Sequence, residues 1–339
     1  MWQGTPAVEA LSGVTRERFE GEIVPAARPV VLKGLVSDWP IVGAGRRSEQ
    51  ALGDYLKQQR PAEPVQAWFG APAIKGRFGY SDDLTGFNHE RRIVPLADLI
   101  DYLLAHRDEP AAFSAYAGGI ALVKHLPSLL PALPMPLLEH GREMLVSLWL
   151  GGHTRTAAHW DVPQNLACVV LGRRRFTLFP TEQVRNLYPG PLDFTLAGQP
   201  ISLVDFADPD LERFPRFREA MAAAEVAELE PGDALYVPSL WWHHVESLDP
   251  VGAMINFWWR DGPPYLITPL FTLFHALLTL RELPETERVA WRVFFDHYIF
   301  GVNGDPMEHL PPEARGVFGE MTPELLRQLK AMLAGPLQA

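Results

Sequence analysis

Cysteine is almost missing from this chain of 339 residues: Cys168 is the only one, so no internal disulfide can form and no thiolate cluster can hold a metal. Such a count fits a reducing compartment. Cys168 itself sits in the apolar run Leu166-Ala167-Cys168-Val169-Val170, where a small buried hydrophobe is expected. Positive charge is also scarce. Thirty Lys and Arg against 41 Asp and Glu give a formal charge of −11, which removes the cationic excess that nonspecific binding of nucleic acid relies on. Arg173-Arg174-Arg175 is the one conspicuous basic run, and by itself it reads as a solvent-facing hairpin turn. No stretch approaches the roughly twenty apolar residues that span a bilayer. The first residues lack the basic start and apolar block of a secretory leader. A soluble, cytoplasmic protein is expected, with no membrane contact.

Aromatic residues are plentiful. Ten Trp and eighteen Phe, in a chain only 21% charged, exclude a solvated coil and supply a large core. Helical spacing marks Thr15 to Ile23, Ser48 to Gln59 and Leu96 to His106, with Val30 to Leu32 and Val65 to Phe69 as short strands between them. From about Ala111 to Arg260 the texture becomes short β-like runs broken by Gly, Pro and Asp. They are Leu145 to Leu150, Asn165 to Leu171, Arg174 to Phe179, Ile201 to Val204, Ala234 to Val237 and Ala253 to Trp259. Strands at this spacing predict an all-β sandwich or barrel. Beyond Gly262-Pro263-Pro264 the strands stop, and Leu270 to Leu280, Glu287 to Phe300 and Pro323 to Leu333 read as helices. The expected fold is thus mainly β with helical flanks, residues 1–262 forming one domain and 263–339 a helical extension. The apolar surface of that extension either caps the barrel or joins two copies of the chain.

The chemistry rests on His159-Trp160-Asp161 and, far downstream, Pro238-Ser239-Leu240-Trp241-Trp242-His243-His244. Side chains two apart on a strand share a face, so His159 and Asp161 point together. A second imidazole from a neighbouring strand then completes a 2-His-1-carboxylate set, which leaves positions open on the metal and suits non-haem Fe(II). His243 and His244 compete for that third place, and on a strand only one can take it. His153, after Gly151-Gly152, reads as a surface or lid residue. Zinc is the competing metal, but the helical His-Glu-x-x-His signature of hydrolytic zinc sites is absent.

These residues carry a resemblance. Thr156-Ala157-Ala158-His159-Trp160-Asp161 with Gln164-Asn165, then Leu187-Tyr188-Pro189, Pro231-Gly232-Asp233 and Trp241-Trp242-His243-His244-Val245-Glu246-Ser247 are similar to the JmjC, or cupin-like, Fe(II)- and 2-oxoglutarate-dependent oxygenases. Within that family the chain looks most like the asparaginyl hydroxylase acting on hypoxia-inducible factor. The match spans somewhat under half the chain. It implies a double-stranded β-helix, the cupin jelly-roll, with His159, Asp161 and His243 as iron ligands. It also implies that Arg174 holds the far carboxylate of 2-oxoglutarate where the nearest relative has Lys, an exchange a guanidinium can make. By the same resemblance Thr156 adds a hydroxyl, and Asn165 and Asn256 place amides beside the cosubstrate. A family tyrosine falls on Phe113 by strict alignment, or on Tyr116 with a local shift. The implied activity hydroxylates a protein side chain or a small molecule and releases succinate and CO₂. The alternative is a non-catalytic cupin-like binding or assembly protein. The related hydroxylase dimerises through helices placed like those after residue 263, which sets a homodimer through those helices beside the reading in which they cap the barrel.

Overall fold

Alternating apolar residues along short, Gly- and Pro-punctuated segments give two antiparallel-rich sheets packed face to face. The computed structural model of the protein describes residues 2, 4–139 and 141–337. Its strands are β1 (Ala10–Ser12), β2 (Val30–Lys33), β3 (Val65–Gly70), β4 (Arg77–Phe78), β5 (His89–Val94), β6 (Ser114–Ala121) and β7 (Leu145–Gly151). They continue with β8 (Arg155–His159), β9 (Gln164–Leu171), β10 (Arg174–Phe179), β11 (Glu225–Leu229), β12 (Ala234–Val237), β13 (Trp242–Ser247) and β14 (Gly252–Trp259). One sheet has the order β1-β2-β12-β9-β14-β7-β6-β3-β5 and the other β11-β10-β13-β8-β4. This is the jelly-roll of a cupin.

The faces follow from the pattern of each strand. On β9, Leu166, Cys168 and Val170 turn outward into a core shared with Ile41, Leu52, Leu96 and Ile100 of the helices laid over that sheet. Ala167 and Val169 turn inward and meet Phe176 and Leu178 of the opposite sheet, with Leu235, Val237 and Met254 around them. The cysteine is free and fully buried, and burial pushes its thiol pKa up. The outer face of the smaller sheet is covered by the segment after β10, whose Leu187, Val204, Phe206 and Phe217 pack on Phe179 and Trp242. Each such large apolar side chain removed from water contributes about 1.5–3 kcal/mol, so both faces of this sheet carry weight.

Several segments differ from the sequence expectation. Ile201 to Val204 is no strand: Ser202 forms a single bridge with Pro189, and its hydroxyl donates to the Leu187 carbonyl, pinning the covering segment. Of the strands that go unannounced in the sequence, β5 (HERRIV) and β11 (EVAEL) stand, like the short β1, at the edge of a sheet. Edge strands need bury little and tolerate charge, which breaks the apolar alternation that reveals the central ones.

Residues Met1–Gly262 and Pro263–Ala339 form separate compact units. The second contains the helices Leu270–Thr279, Glu285–Tyr298 and Pro323–Leu337. None of its described side chains is fully buried. Trp291, Phe294, Phe295, Tyr298, Ile299 and Phe318 line an apolar groove within it. Among the described residues no helix is long and apolar enough to cross a membrane.

Candidate metal centre

β8 ends on His159, and the chain stays extended, so Asp161 projects to the same side two residues later. Asp161 lies just past the strand rather than inside it, because a bend at residues 162–163 leads straight into β9. β13 pairs antiparallel with β8 and sets His243 directly opposite His159. The two rings stand 4.3 Å apart, and His243 Nε2 is 3.6 Å from an Asp161 carboxylate oxygen. One ligand atom from each of the three residues lies within 4.8 Å of the other two. Among the described residues no other group of His, Cys, Asp and Glu meets that limit.

The supporting contacts, which the sequence alone did not disclose, are backbone carbonyls. His159 Nδ1 lies 3.0 Å from the carbonyl of Ala157, and His243 Nδ1 lies 3.0 Å from that of Trp241. A proton on each Nδ1, donated to those carbonyls, leaves both Nε2 lone pairs for a metal. The Leu240 amide donates to the Asp161 carbonyl at 2.8 Å, tying the two ligand-bearing loops together. Burial pushes the His159 imidazole down to about 4, assisted by the charge of His243 and opposed by Asp161. Burial works to raise Asp161, but its bond to His243 and the two imidazole charges reverse that and leave the carboxyl below its ordinary value. Neutral imidazole beside ionised carboxylate is the protonation state a divalent metal takes up.

Deeper in the same barrel lies an unpaired cation. The three arginines do not share a turn: Gly172, in the left-handed region at φ +67, makes the turn, and β10 then sends Arg174 inward. Arg173 pairs with Asp249 and Arg175 with Glu228, both toward solvent. Arg174 is 2% exposed, and its Nε and Nη2 have no hydrogen-bond partner. Burial lowers its pKa, and Tyr116 is the one nearby group that acts to hold it up. Tyr116 is buried beside it, its hydroxyl hydrogen-bonded to Thr156, and burial raises the phenol to about 12. Gly252 packs closely here: a Cβ there would stand 2.5 Å from Ser247 Oγ and 3.5 Å from Arg174 Nη2, so only glycine fits at this position. A buried guanidinium with idle donors and the hydroxyls of Tyr116 and Thr156 beside it have the chemistry to take one end of an anionic ligand.

Asn165 and Asn256 line the inward face of the larger sheet and bond to each other, Asn256 Nδ2 to Asn165 Oδ1 at 3.4 Å. Of the two tyrosine alternatives, Tyr116 lies in this pocket. Phe113 is 47% exposed and borders a surface cleft of about 430 Å³ with Tyr102, His106 and the exposed His153. His244 points away from His243 and stacks on Phe206, ring centres 4.5 Å apart, beneath the covering segment. Sequence reasoning also passed over Trp149, whose indole nitrogen donates to Asn256 Oδ1 at 2.7 Å. Nothing in a lone Trp within Leu145 to Leu150 separates it from core.

The chain was compared with known proteins. The family model for the cupin-like domain matches residues 16–264. Lysine-specific demethylase JMJ31 of Arabidopsis thaliana is 25% identical over 282 residues, covering 74% of this chain and 49% of that protein. HSPB1-associated protein 1 of Homo sapiens is 42% identical over 114 residues, covering 33% of this chain and 23% of its own length. tRNA wybutosine-synthesizing protein 5 of Gallus gallus is 27% identical over 317 residues, covering 84% of this chain and 92% of that one. The chain thus spans about half of the demethylase and under a quarter of the HSPB1-associated protein.

Proposed function

The chain belongs to the cupin-like domain family, and we propose that it is an iron(II)- and 2-oxoglutarate-dependent oxygenase that hydroxylates a protein side chain or a small molecule. One observation carries this reading: a buried guanidinium without an anion to pair with, in the barrel that also holds a 2-His-1-carboxylate set. A buried unpaired charge is costly to keep, so a protein that used the fold only as a scaffold gains nothing from it. In this reading His159, Asp161 and His243 hold the iron. Arg174, with Tyr116 and Thr156, takes the far carboxylate of 2-oxoglutarate, and Asn165 and Asn256 flank its length.

Bound iron(II) with 2-oxoglutarate and O₂ would supply oxidative decarboxylation of the cosubstrate to succinate and CO₂, one oxygen atom of O₂ entering succinate and the other a substrate C–H bond. The protein's own residues bind, orient and exclude water. The carbonyls of Ala157 and Trp241 fix the imidazoles, and Leu240 fixes Asp161. The fork of Arg174 sets the cosubstrate lengthwise. One of the relatives, JMJ31, is named a lysine-specific demethylase, and hydroxylation of an N-methyl carbon is the same chemistry with a product that falls apart. The residues here do not depend on which carbon is presented. HSPB1-associated protein 1 points in the same way toward a protein partner. We also assign self-association to the helices Leu270–Thr279 and Glu285–Tyr298, most of whose large apolar residues are exposed, with Leu270, Phe274 and Phe295 half-buried.

The test is succinate release from 2-oxoglutarate with Fe(II) and O₂, His159→Ala serving as control, beside calorimetric titration with Mn(II). Wild-type protein should bind Mn(II) and turn over the cosubstrate slowly even without substrate, and His159→Ala should lose at least tenfold in metal affinity. Wild-type protein that takes up neither metal nor 2-oxoglutarate would leave the non-catalytic cupin reading in its place.

A further inference from the structure

We propose that Trp149 is a positioning residue that fixes which way the Asn256 and Asn165 amides face, and thereby turns their N–H donors toward the anionic cosubstrate. The inference rests on the proposed oxygenase reading and deepens it. Carboxamide oxygen and nitrogen are interchangeable in shape, so a buried Asn can present either end unless a partner decides. An indole N–H can only donate. At 2.7 Å, Trp149 Nε1 therefore demands the oxygen of Asn256. The amino end of Asn256 then faces the opposite way and donates to Asn165 Oδ1. With its own oxygen so engaged, Asn165 is left to offer its amino group. One donor-only ring thus sets the sense of two amides in series.

The chain of amides leads to the right place. Asn165 follows Asp161 by four residues at the start of β9, opposite Trp258 of β14. Asn256 sits one alternation deeper, and Trp149, opposite Met254, deeper again. The row therefore runs from the ligand-bearing end of the barrel toward Tyr116, along the length that 2-oxoglutarate occupies in the proposed reading. A dianion there is stabilised by N–H groups and repelled by carbonyl oxygens, so an amide facing the wrong way is worse than none.

The ring itself is locked. Gly118, at the bulge of β6, lies against it so closely that a Cβ would stand 2.8 Å from Trp149 Cζ3. Trp258 meets it edge-on, centres 5.6 Å apart at 81°, and Tyr116 lies 6.2 Å away on another side. With a bare glycine beneath it and aromatic rings on two sides, the indole keeps the rotamer that aims its nitrogen at Asn256. Ser147, directly opposite Asn256, is buried with its hydroxyl unbonded and exerts no competing pull.

Trp149→Phe keeps the packing and removes the donor. The measurement is 2-oxoglutarate binding to the Mn(II)-loaded full chain by calorimetry, with the thermal midpoint of the metal-free protein taken alongside. The expected result is binding weaker by about three- to tenfold, the size of one ordinary hydrogen bond, with the midpoint held. In uncoupled turnover the same change should appear in KM for 2-oxoglutarate and leave kcat unmoved. In an Asn256→Ala background, Trp149→Phe should add nothing, because the amide it orients is gone. Equal affinity in wild type and Trp149→Phe, or full additivity with Asn256→Ala, overturns the inference while leaving the oxygenase reading intact. Wild-type protein that binds Mn(II) but no 2-oxoglutarate overturns both.

Discussion

Arg174 shows what a single side chain costs and what it is kept for. Its guanidinium is buried, and two of its nitrogens have no partner. In the folded, ligand-free protein that is a penalty, since a desolvated donor is worth about 1–3 kcal/mol when left unmade. Arg174→Met replaces it with an apolar chain of similar reach. The metal-free variant should melt no lower than wild type and up to a few degrees higher, while its affinity for 2-oxoglutarate falls at least tenfold. Differential scanning with and without 2-oxoglutarate reads both; a variant that melts lower yet still binds would show that Arg174 serves the fold alone. The sequence disclosed this residue only in part. Three consecutive arginines look like one exposed turn, and only the strand beginning at Arg174 separates the inward member from the paired Arg173 and Arg175. His159, Asp161 and His243 were readable because two-residue alternation is local. Tyr116 entered only through the resemblance, as one of two alternatives, and Trp149 not at all, since their use depends on neighbours from β8, β10 and β14 that no local pattern reveals.

Among elements, legibility followed position in the sheet. Central strands such as β9 and β14, packed on both sides, carry apolar runs that announce themselves. The edge strands β5 and β11 expose charged side chains and read as loops. Ile201 to Val204 misleads in the opposite direction: its apolar residues pack beneath the covering segment as irregular chain. The helix Pro40–Arg47 packs closely on β9 of the larger sheet through Gly45. A Cβ there would stand 1.9 Å from the Val170 carbonyl oxygen and 3.1 Å from its carbon. Backbone on β9 steps aside less readily than a side chain would, because Val169 and Leu171, on either side of Val170, are paired to β14. Gly45→Ala should therefore destabilise by about 1–3 kcal/mol or more, although alanine is the better helix former. The denaturant midpoint measures it, and an unchanged midpoint would mean the helix can lift from the sheet at no cost.

At the scale of the molecule, the two compact units obey different rules. Residues up to Gly262 bury their large apolar side chains in four clusters, and the matched cupin-like domain falls almost wholly within them. The helices beyond Pro263 hold Phe271, Leu278, Val289, Trp291 and Phe294 at 46–77% exposure. Exposed apolar side chains in such number, contiguous along two helices, are what a chain keeps when a partner covers them. A second copy is the economical partner, because a two-fold axis lets one surface satisfy itself. Light scattering should then give a dimer of about twice the 37.9 kDa chain mass at micromolar concentration. Phe294→Glu, which places a charge in the groove formed with Trp291 and Tyr298, should shift it to monomer without changing Mn(II) affinity, since the three ligand residues all lie in the first unit. A wild-type protein that scatters as a monomer across that range, with these residues still open to water, would reject self-association and leave the helices to another partner.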